Sequence, residues 1–88
     1  MEITDVRIRL LKTENRLKAY ATITIDDAFA VHELRILEGS AGLFVVMPSR
    51  MDHKGVYRDI AHPVTAASRV IVEEKVLAAY QEALANEE

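Results

Sequence analysis

Residues 6–25, VRIRLLKTENRLKAYATITI, contain two segments of alternating apolar and polar side chains on either side of one polar turn. In the first segment, apolar Val6 and Ile8 alternate with Arg7 and Arg9. Side chains that alternate with a period of two point to opposite faces of a β-strand. The second segment alternates in the same way and is rich in β-branched side chains, which favour strands. The stretch therefore predicts an antiparallel hairpin with one apolar face.

The turn determines how the two strands pair. It reads TENR over residues 13–16, and centring it between residues 14 and 15 sets the register. The predicted cross-strand pairs are Val6 with Ile23, Arg7 with Thr22, Ile8 with Ala21 and Arg9 with Tyr20. In this register the apolar side chains of both strands share one face, whereas a slip by one residue would separate them.

A third strand is predicted after a tight turn at residues 26–28. It covers residues 29–37, FAVHELRIL, and begins with the same alternation. Glu33 and Arg35 interrupt the pattern. A β-bulge or a strand edge at this point would explain the interruption, because an extra residue in a bulge changes which side chains face the core.

The remaining sheet segments are shorter. Residues 43–47, LFVVM, are apolar without alternation, which predicts a fourth strand that is covered on both faces or lies in a subunit contact. Residues 48–55, PSRMDHKG, are predicted to form a polar loop. Residues 56–60, VYRDI, are predicted to form a short fifth strand.

The period then changes from two to that of a helix. Thr65 is a candidate N-cap for a helix over residues 66–85. The apolar stripe of this helix consists of Val72, Val76, Leu77, Tyr80 and Leu84. The predicted fold class is α+β: an antiparallel β-meander of four to five strands (about residues 2–60) followed by one C-terminal α-helix, in a single domain over residues 1–88.

Composition indicates how so short a chain becomes stable. The 88 residues contain no cysteine, which excludes disulfides and thiolate metal sites. A domain of this size buries only about 60% of the surface of its unfolded chain, so self-association is expected. No signal-like segment and no apolar run of about 20 residues is present, so we expect a cytoplasmic protein without a membrane partner. The net charge is −3, and the acidic excess lies in residues 65–88.

Catalytic and cofactor motifs are lacking. His32, His53 and His62 do not have the spacing of metal ligands. In YRDIAHP, residues 57–63, Asp59 and His62 could act as a base and its orienting partner. We favour a structural elbow instead. Pro63 restricts the backbone between the predicted strand and the predicted helix, and this restriction is enough to explain the sequence without any chemistry. We therefore expect no enzymatic activity, no cofactor and no metal site.

Two basic surfaces are candidates for binding an anionic partner. One is the predicted sheet face that carries Arg7, Arg9, Tyr20, Thr22 and His32. Such a face can hold single-stranded nucleic acid by charge and base stacking, or it can be solvated. The other combines Arg50, Lys54 and Arg69, if the loop after the fourth strand folds near the helix start. Free N–H groups at a helix start favour phosphate.

Four segments together resemble the SpoVG family: EITDVRIR (2–9), VHELRILEG (31–39), GLFVVMPSR (42–50) and YRDIAHPV (57–64). The resemblance extends from Met1 to about Tyr80. It implies a small, cytoplasmic bacterial protein with a β-meander and a C-terminal helix, which forms homodimers. It also implies a role in sporulation and asymmetric septation, with site-specific DNA and RNA binding in some members and no enzymatic activity.

The resemblance also implies nucleic-acid contacts from basic residues early in the C-terminal helix. Arg69 matches that position, whereas Ile71 stands where some relatives have a lysine, and Lys75 is a candidate to compensate. The predicted nucleic-acid-binding residues are Arg50, Lys54, Arg58, Arg69 and Lys75. Ile71 and the acidic helix weaken the binding that we expect. The alternative is a protein-interaction adaptor in cell division or stress regulation that binds no nucleic acid.

Overall fold

The computed structural model describes residues 1–87. Its elements are β1 Ile3–Leu10, β2 Leu17–Ile25, β3 Phe29–Gly39, β4 Gly42–Val46, β5 Ser49–Met51, β6 Tyr57–Asp59 and α1 Ala66–Ala85. Strands β1 to β4 form one antiparallel sheet in chain order, and β5 and β6 form a separate two-stranded sheet. The predicted α+β class, a β-meander followed by a C-terminal helix, is confirmed.

The predicted register of β1 and β2 is also confirmed. Val6 pairs with Ile23, Arg7 with Thr22, Ile8 with Ala21 and Arg9 with Tyr20. The turn closes through a hydrogen bond of 3.0 Å from the Leu11 N–H to the Lys18 carbonyl. The apolar pattern and the polar turn therefore specify the same register, as expected when one face of a hairpin is buried.

A β-bulge in β3 determines which side chains reach the core. The pairing of β2 with β3 shifts between Ala21 and Ile23, and Glu33 has a φ of 66°, in the left-handed region. The extra residue turns Leu34 inward, where it is fully buried, and leaves Arg35 exposed on the opposite face. The bulge expected from the interrupted alternation is therefore present.

Helix α1 covers one face of the four-stranded sheet. Its predicted limits and its Thr65 cap are confirmed: the Thr65 hydroxyl accepts from the Ser68 N–H at 3.1 Å. Val72, Val76 and Tyr80 are buried against the sheet. Burial, followed by the negative charges of Glu38 and Glu87, raises the pKa of Tyr80. The buried core consists of Ile3, Ala19, Ala21, Ile23, Leu34, Ile36, Val45, Met47, Val72, Val76 and Tyr80.

Strand β4 is an edge of the sheet with one covered face. Val45 and Met47 are buried on the helix side, whereas Phe44 is 37% exposed and Val46 is half-buried on the other side. This second side, which α1 does not cover, is called the open face below. Within the chain, β4 is therefore not covered on both faces. Its placement in a subunit contact stays a prediction.

Residues 49–59 form a projecting hairpin, here called the arm, that the sequence analysis described only in part. The predicted fifth strand exists as β6, but it pairs with β5 and does not join the main sheet. Strand β5 lies inside the segment that was predicted to be a polar loop. Pro48 separates β5 from β4 and has no N–H to continue a ladder. A hydrogen bond of 2.7 Å from the Ile60 N–H to the Pro48 carbonyl closes the base of the arm.

We expect Leu34→Ala to lower the free energy of unfolding by about 2–5 kcal/mol, because Leu34 is fully buried and its truncation leaves a cavity. Leu84→Ala is the matched control. Leu84 is 39% exposed at the end of the helix, so its loss should cost less than about 1 kcal/mol. Urea unfolding at one protein concentration measures both values. Equal losses would contradict the position of the core.

Candidate nucleic-acid interface

Asp52 organises the tip of the arm. Its Oδ1 accepts from the N–H groups of Lys54 at 2.8 Å and Val56 at 3.0 Å. Its Oδ2 accepts from Arg58 Nε at 2.7 Å. Gly55, with a φ of 81°, supplies the left-handed residue that the turn requires. One carboxylate thus satisfies two turn N–H groups and also anchors a strand arginine.

These hydrogen bonds stabilise the charged form of Asp52. The bond from Arg58 holds the pKa of the Asp52 carboxyl below its ordinary value, and the N–H groups of Val56 and Lys54 act in the same direction. Partial burial opposes them. The side chain of Asp52 is only 19% exposed, so the carboxylate is shielded within the turn. The lowered pKa of Asp52 therefore favours the ionised carboxylate at neutral pH.

Two of the predicted binding residues meet across the arm. Arg50 and Arg58 are cross-strand partners, and both line a surface cavity of about 480 Å³ together with His53 and Asp59. The salt bridge to Asp52 partly neutralises Arg58. Within residues 1–87, Arg50 and Lys54 form no salt bridge. These two side chains are therefore the cations of the arm that an anionic partner can contact most easily.

Arg69 is exposed near the start of α1. The capping box of Thr65 and Ser68 satisfies the helix start, and the first turn contains no acidic residue. The positive end of the helix dipole therefore adds to the charge of Arg69. Glu73, four residues later, lies beside Arg69 on the helix surface and reduces this local positive potential.

Lys75 lies on a different side of the helix from Arg69. At about 100° per residue, six residues separate the two side chains by about 120° around the axis. The helix geometry therefore does not bring Lys75 onto the surface of Arg69. Within residues 1–87, no hydrogen bond or salt bridge joins either residue to the arm. The structure thus groups Arg50 with Arg58 and leaves the two helix cations separate.

The stretch YRDIAHP forms the end of the arm and the elbow before α1. A hydrogen-bond contact of 3.0 Å joins His62 Nδ1 to the Pro63 carbonyl, and no hydrogen bond between His62 and Asp59 occurs within residues 1–87. His62 and Pro63 line an apolar cavity of about 210 Å³ with Met47 and Val72. The geometry therefore favours the elbow interpretation. In the described part of the chain, no three His, Cys, Asp or Glu side chains are grouped to hold a metal ion.

The open face holds a second group of cations. The residues predicted for one sheet face do lie together on the open face: Arg7, Arg9, Tyr20, Thr22 and His32. Arg35, which was not among the residues predicted for this face, lies there too. The interrupted alternation at Glu33 could have predicted this position of Arg35. One extra residue in a bulge moves Arg35 from the covered face to the open face.

Comparison with known proteins identifies the family. The SpoVG family profile matches residues 1–82. Relatives named "Putative septation protein SpoVG", some of them with the number 1, include the following three. The Heliobacterium modesticaldum protein is 52% identical over 98% of this chain and 97% of its own length. The Exiguobacterium sp. protein is 56% identical over 91% and 81%, and the numbered Listeria monocytogenes protein is 51% identical over 92% and 79%. The chain therefore belongs to the SpoVG family. No helix within residues 1–87 is long and apolar enough to cross a membrane.

We expect acid to disorder the arm. Because the folded-state pKa of Asp52 is lowered, its contribution to stability is present above the ordinary Asp value of about 3.9. The contribution is lost as the pH falls through the folded-state pKa. The amide NMR signals of Lys54 and Val56 should therefore move toward random-coil positions below about pH 3.9.

Asp52→Asn is the matched variant for this titration. Its amide oxygen can still accept from the turn N–H groups, but it has no charge to titrate or to hold Arg58. The acid response of the Lys54 and Val56 signals should be absent in this variant. If the variant shows the wild-type response, Asp52 is not its origin.

Proposed function

We propose that this chain is a homodimeric bacterial regulator that binds DNA or RNA, acts in the cytoplasm and is linked to septation and sporulation. The observation that carries the nucleic-acid part is the exposure of Arg50, Lys54 and Arg69 without salt bridges within residues 1–87. Membership in the SpoVG family and the septation names of its relatives support the cellular role.

Phosphate neutralisation is the proposed physical basis of binding. Arginine and lysine contacts to phosphate release counterions, which gives affinity that is largely independent of sequence and that falls with salt. Arg50 and Lys54 supply such contacts from the arm, and Arg69 supplies one beside the positive end of α1. Arg58 supports the arm through Asp52 and adds a partly neutralised charge. Lys75, on another side of the helix, adds long-range attraction.

The acidic excess of the helix limits this affinity. The chain has a net charge of −3, and Glu73 lies next to Arg69. A negative protein is repelled by a polyanion at a distance, although local contacts can still attract it. We therefore expect moderate affinity that depends strongly on salt.

The β4 edge is the proposed dimer contact. The two edges of the main sheet differ: β1 carries Asp5, Arg7 and Arg9, whereas β4, GLFVV, carries no charge. Charged side chains protect an edge strand from pairing with another chain, and an uncharged apolar edge promotes such pairing. Pairing of two copies of β4 would satisfy their outer backbone groups and bury the exposed part of Phe44.

A protein-interaction adaptor is the second candidate function. It is favoured by apolar side chains exposed on the arm, the elbow and the helix start: Tyr57, Ile60, Val64 and Val70. Val64 is 84% exposed, and a group of exposed apolar side chains, unlike a single one, can mark a protein-interaction site. In this alternative the exposed apolar side chains bind a protein, and the cations contribute only to solubility.

We expect Arg69→Ala to weaken binding of short duplex DNA or single-stranded RNA about tenfold, the effect of losing one charged hydrogen bond. Lys75→Ala should have a smaller effect because Lys75 lies on another side of the helix. Lys12→Ala, in the first turn of the chain, is the charge-matched control and should bind like the wild type. Fluorescence anisotropy at low salt measures all four proteins.

Two results would contradict the nucleic-acid proposal. One is the absence of binding by the wild-type chain at low salt. The other is an equal loss of affinity in the Arg69 and Lys12 variants, which would show only a general effect of charge. Recovery of defined protein partners after nuclease treatment, together with no binding at low salt, would favour the adaptor.

We expect Phe44→Asp to give a folded monomer. Phe44 is 37% exposed, so its replacement should leave the helix-covered core intact, while a charge on the β4 edge should block pairing. Sedimentation equilibrium measures the assembly and far-UV circular dichroism measures the fold. Lys12→Asp is a control that should stay dimeric. A Phe44 variant that remains dimeric would exclude the β4 edge as the contact.

A further inference from the structure

The open face carries a concave site that the proposed nucleic-acid surface does not use. It is a cavity of about 540 Å³, within the usual range of small-ligand sites. The side chains that the argument uses are Arg7, Arg9, Tyr20, Thr22, His32 and Arg35. They come from the three adjacent strands β1, β2 and β3. Because Ala19 and Ala21 face α1, the side chains that alternate with them lie on the side away from the helix.

Guanidinium groups surround this cavity. One row of side chains crosses the three strands: Tyr20 on β2 pairs with Arg9 on β1 and with Arg35 on β3. Since adjacent strands are about 4.8 Å apart, the backbones at Arg9 and Arg35 are separated by about 10 Å. Within residues 1–87, neither arginine forms a salt bridge. Two long cationic side chains can therefore converge on a single compact anion.

The next row adds two further groups that can bind phosphate. Arg7 is bound to Asp5 at 3.2 Å, but this pair is exposed and therefore weak, so Arg7 can exchange its partner. Thr22 Oγ1 and His32 Nδ1 lie 3.2 Å apart in a hydrogen bond. This bond engages one ring nitrogen and leaves Nε2 as the nitrogen of His32 that can contact a ligand.

Two features distinguish a nucleotide from a simple anion. The guanidinium of Arg9 lies over the Tyr20 ring, 5.0 Å from its centre, and an aromatic base can pack against this cation–π pair. Glu33 also lines the cavity. Its carboxylate repels phosphate but can accept a hydrogen bond from a ribose hydroxyl.

The aromatic content of the site argues against an extended strand. Proteins that hold single strands place successive bases on several aromatic side chains. Tyr20 is the single aromatic residue that lines this cavity within residues 1–87. The three arginines Arg7, Arg9 and Arg35 all line this one cavity.

We propose that this cavity binds a free nucleotide that carries two or three phosphates. The phosphates lie among Arg7, Arg9 and Arg35, and the base stacks on the Arg9–Tyr20 pair. The site is on the opposite side of the main sheet from α1, so its ligand would not occupy the place of a nucleic acid that contacts Arg69. The nucleotide proposal and the nucleic-acid proposal are tested separately. Substitution of Arg69 tests nucleic-acid binding, whereas substitution of Arg35 tests nucleotide binding.

Isothermal titration of the full chain with ATP at low salt tests the proposal. We expect saturable binding at one site per chain. Arg35→Gln and Arg9→Gln should each weaken it roughly ten- to hundredfold, the loss expected for a charged hydrogen bond. Lys12→Gln removes the same charge from the first turn and should bind ATP like the wild type. Both arginines are exposed, so the variants should fold, which circular dichroism checks.

Three outcomes would overturn the proposal. The first is the absence of saturable ATP binding. The second is inorganic pyrophosphate binding as tightly as ATP, because a site that gains nothing from the base and ribose is not a nucleotide site. The third is displacement of ATP by a short single-stranded RNA, together with weaker binding of that RNA by the Arg35→Gln variant. This result would assign the open face to RNA.

Discussion

The packing of α1 on the four-stranded sheet forms the buried core and positions the helix and the sheet relative to each other. Val72, Val76 and Tyr80 bury one side of the helix against a sheet face whose centre is Leu34 and Ile36. In so short a chain this contact supplies most of the apolar burial that offsets the entropy lost on folding. It also overrides the weak helix propensity of the β-branched run at residues 70–72, because packing outweighs intrinsic preference. The start of the helix, and with it Arg69, is positioned by this contact.

The same packing gives the sheet two different faces. Ala19 and Ala21 are small enough for the helix to approach closely, and Tyr20 between them must point to the other side. The bulge at Glu33 then places Leu34 under the helix and Arg35 beside Tyr20. A single extra residue thus completes the core and also assembles the cationic cavity of the open face. The arm lies outside this arrangement, and Asp52 holds its tip together by polar contacts.

Much of the fold could be predicted from local pattern. The period of two and the polar turn gave the correct pairing of Arg9 with Tyr20, and the interrupted alternation gave the bulge. The helix limits followed from Thr65 and the change of period. Strand β5 could not be found in this way, since three residues are too few to show a period and its partner was assigned to the main sheet. The role of Asp52 was missed, although an aspartate shortly before Gly55 is a recognisable turn signal. The six-residue spacing of Arg69 and Lys75 already indicates that they lie on different sides of a helix. The resemblance to the family had nevertheless suggested that both contact nucleic acid.

We propose that the chain binds nucleic acid by neutralising phosphates with a small number of local cations, despite its net negative charge. Measuring how the binding of nucleic acid by the wild-type protein depends on salt is the sharpest test of this proposal. Anisotropy with one short duplex DNA, over a series of salt concentrations, gives the slope of log affinity against log salt. With Arg50, Lys54 and Arg69 as the contacts, the slope should be about −2 to −3, from roughly −0.9 for each phosphate neutralised on duplex DNA. A slope near zero would contradict direct phosphate contact and would leave the exposed apolar side chains of the arm, the elbow and the helix start as the functional surface.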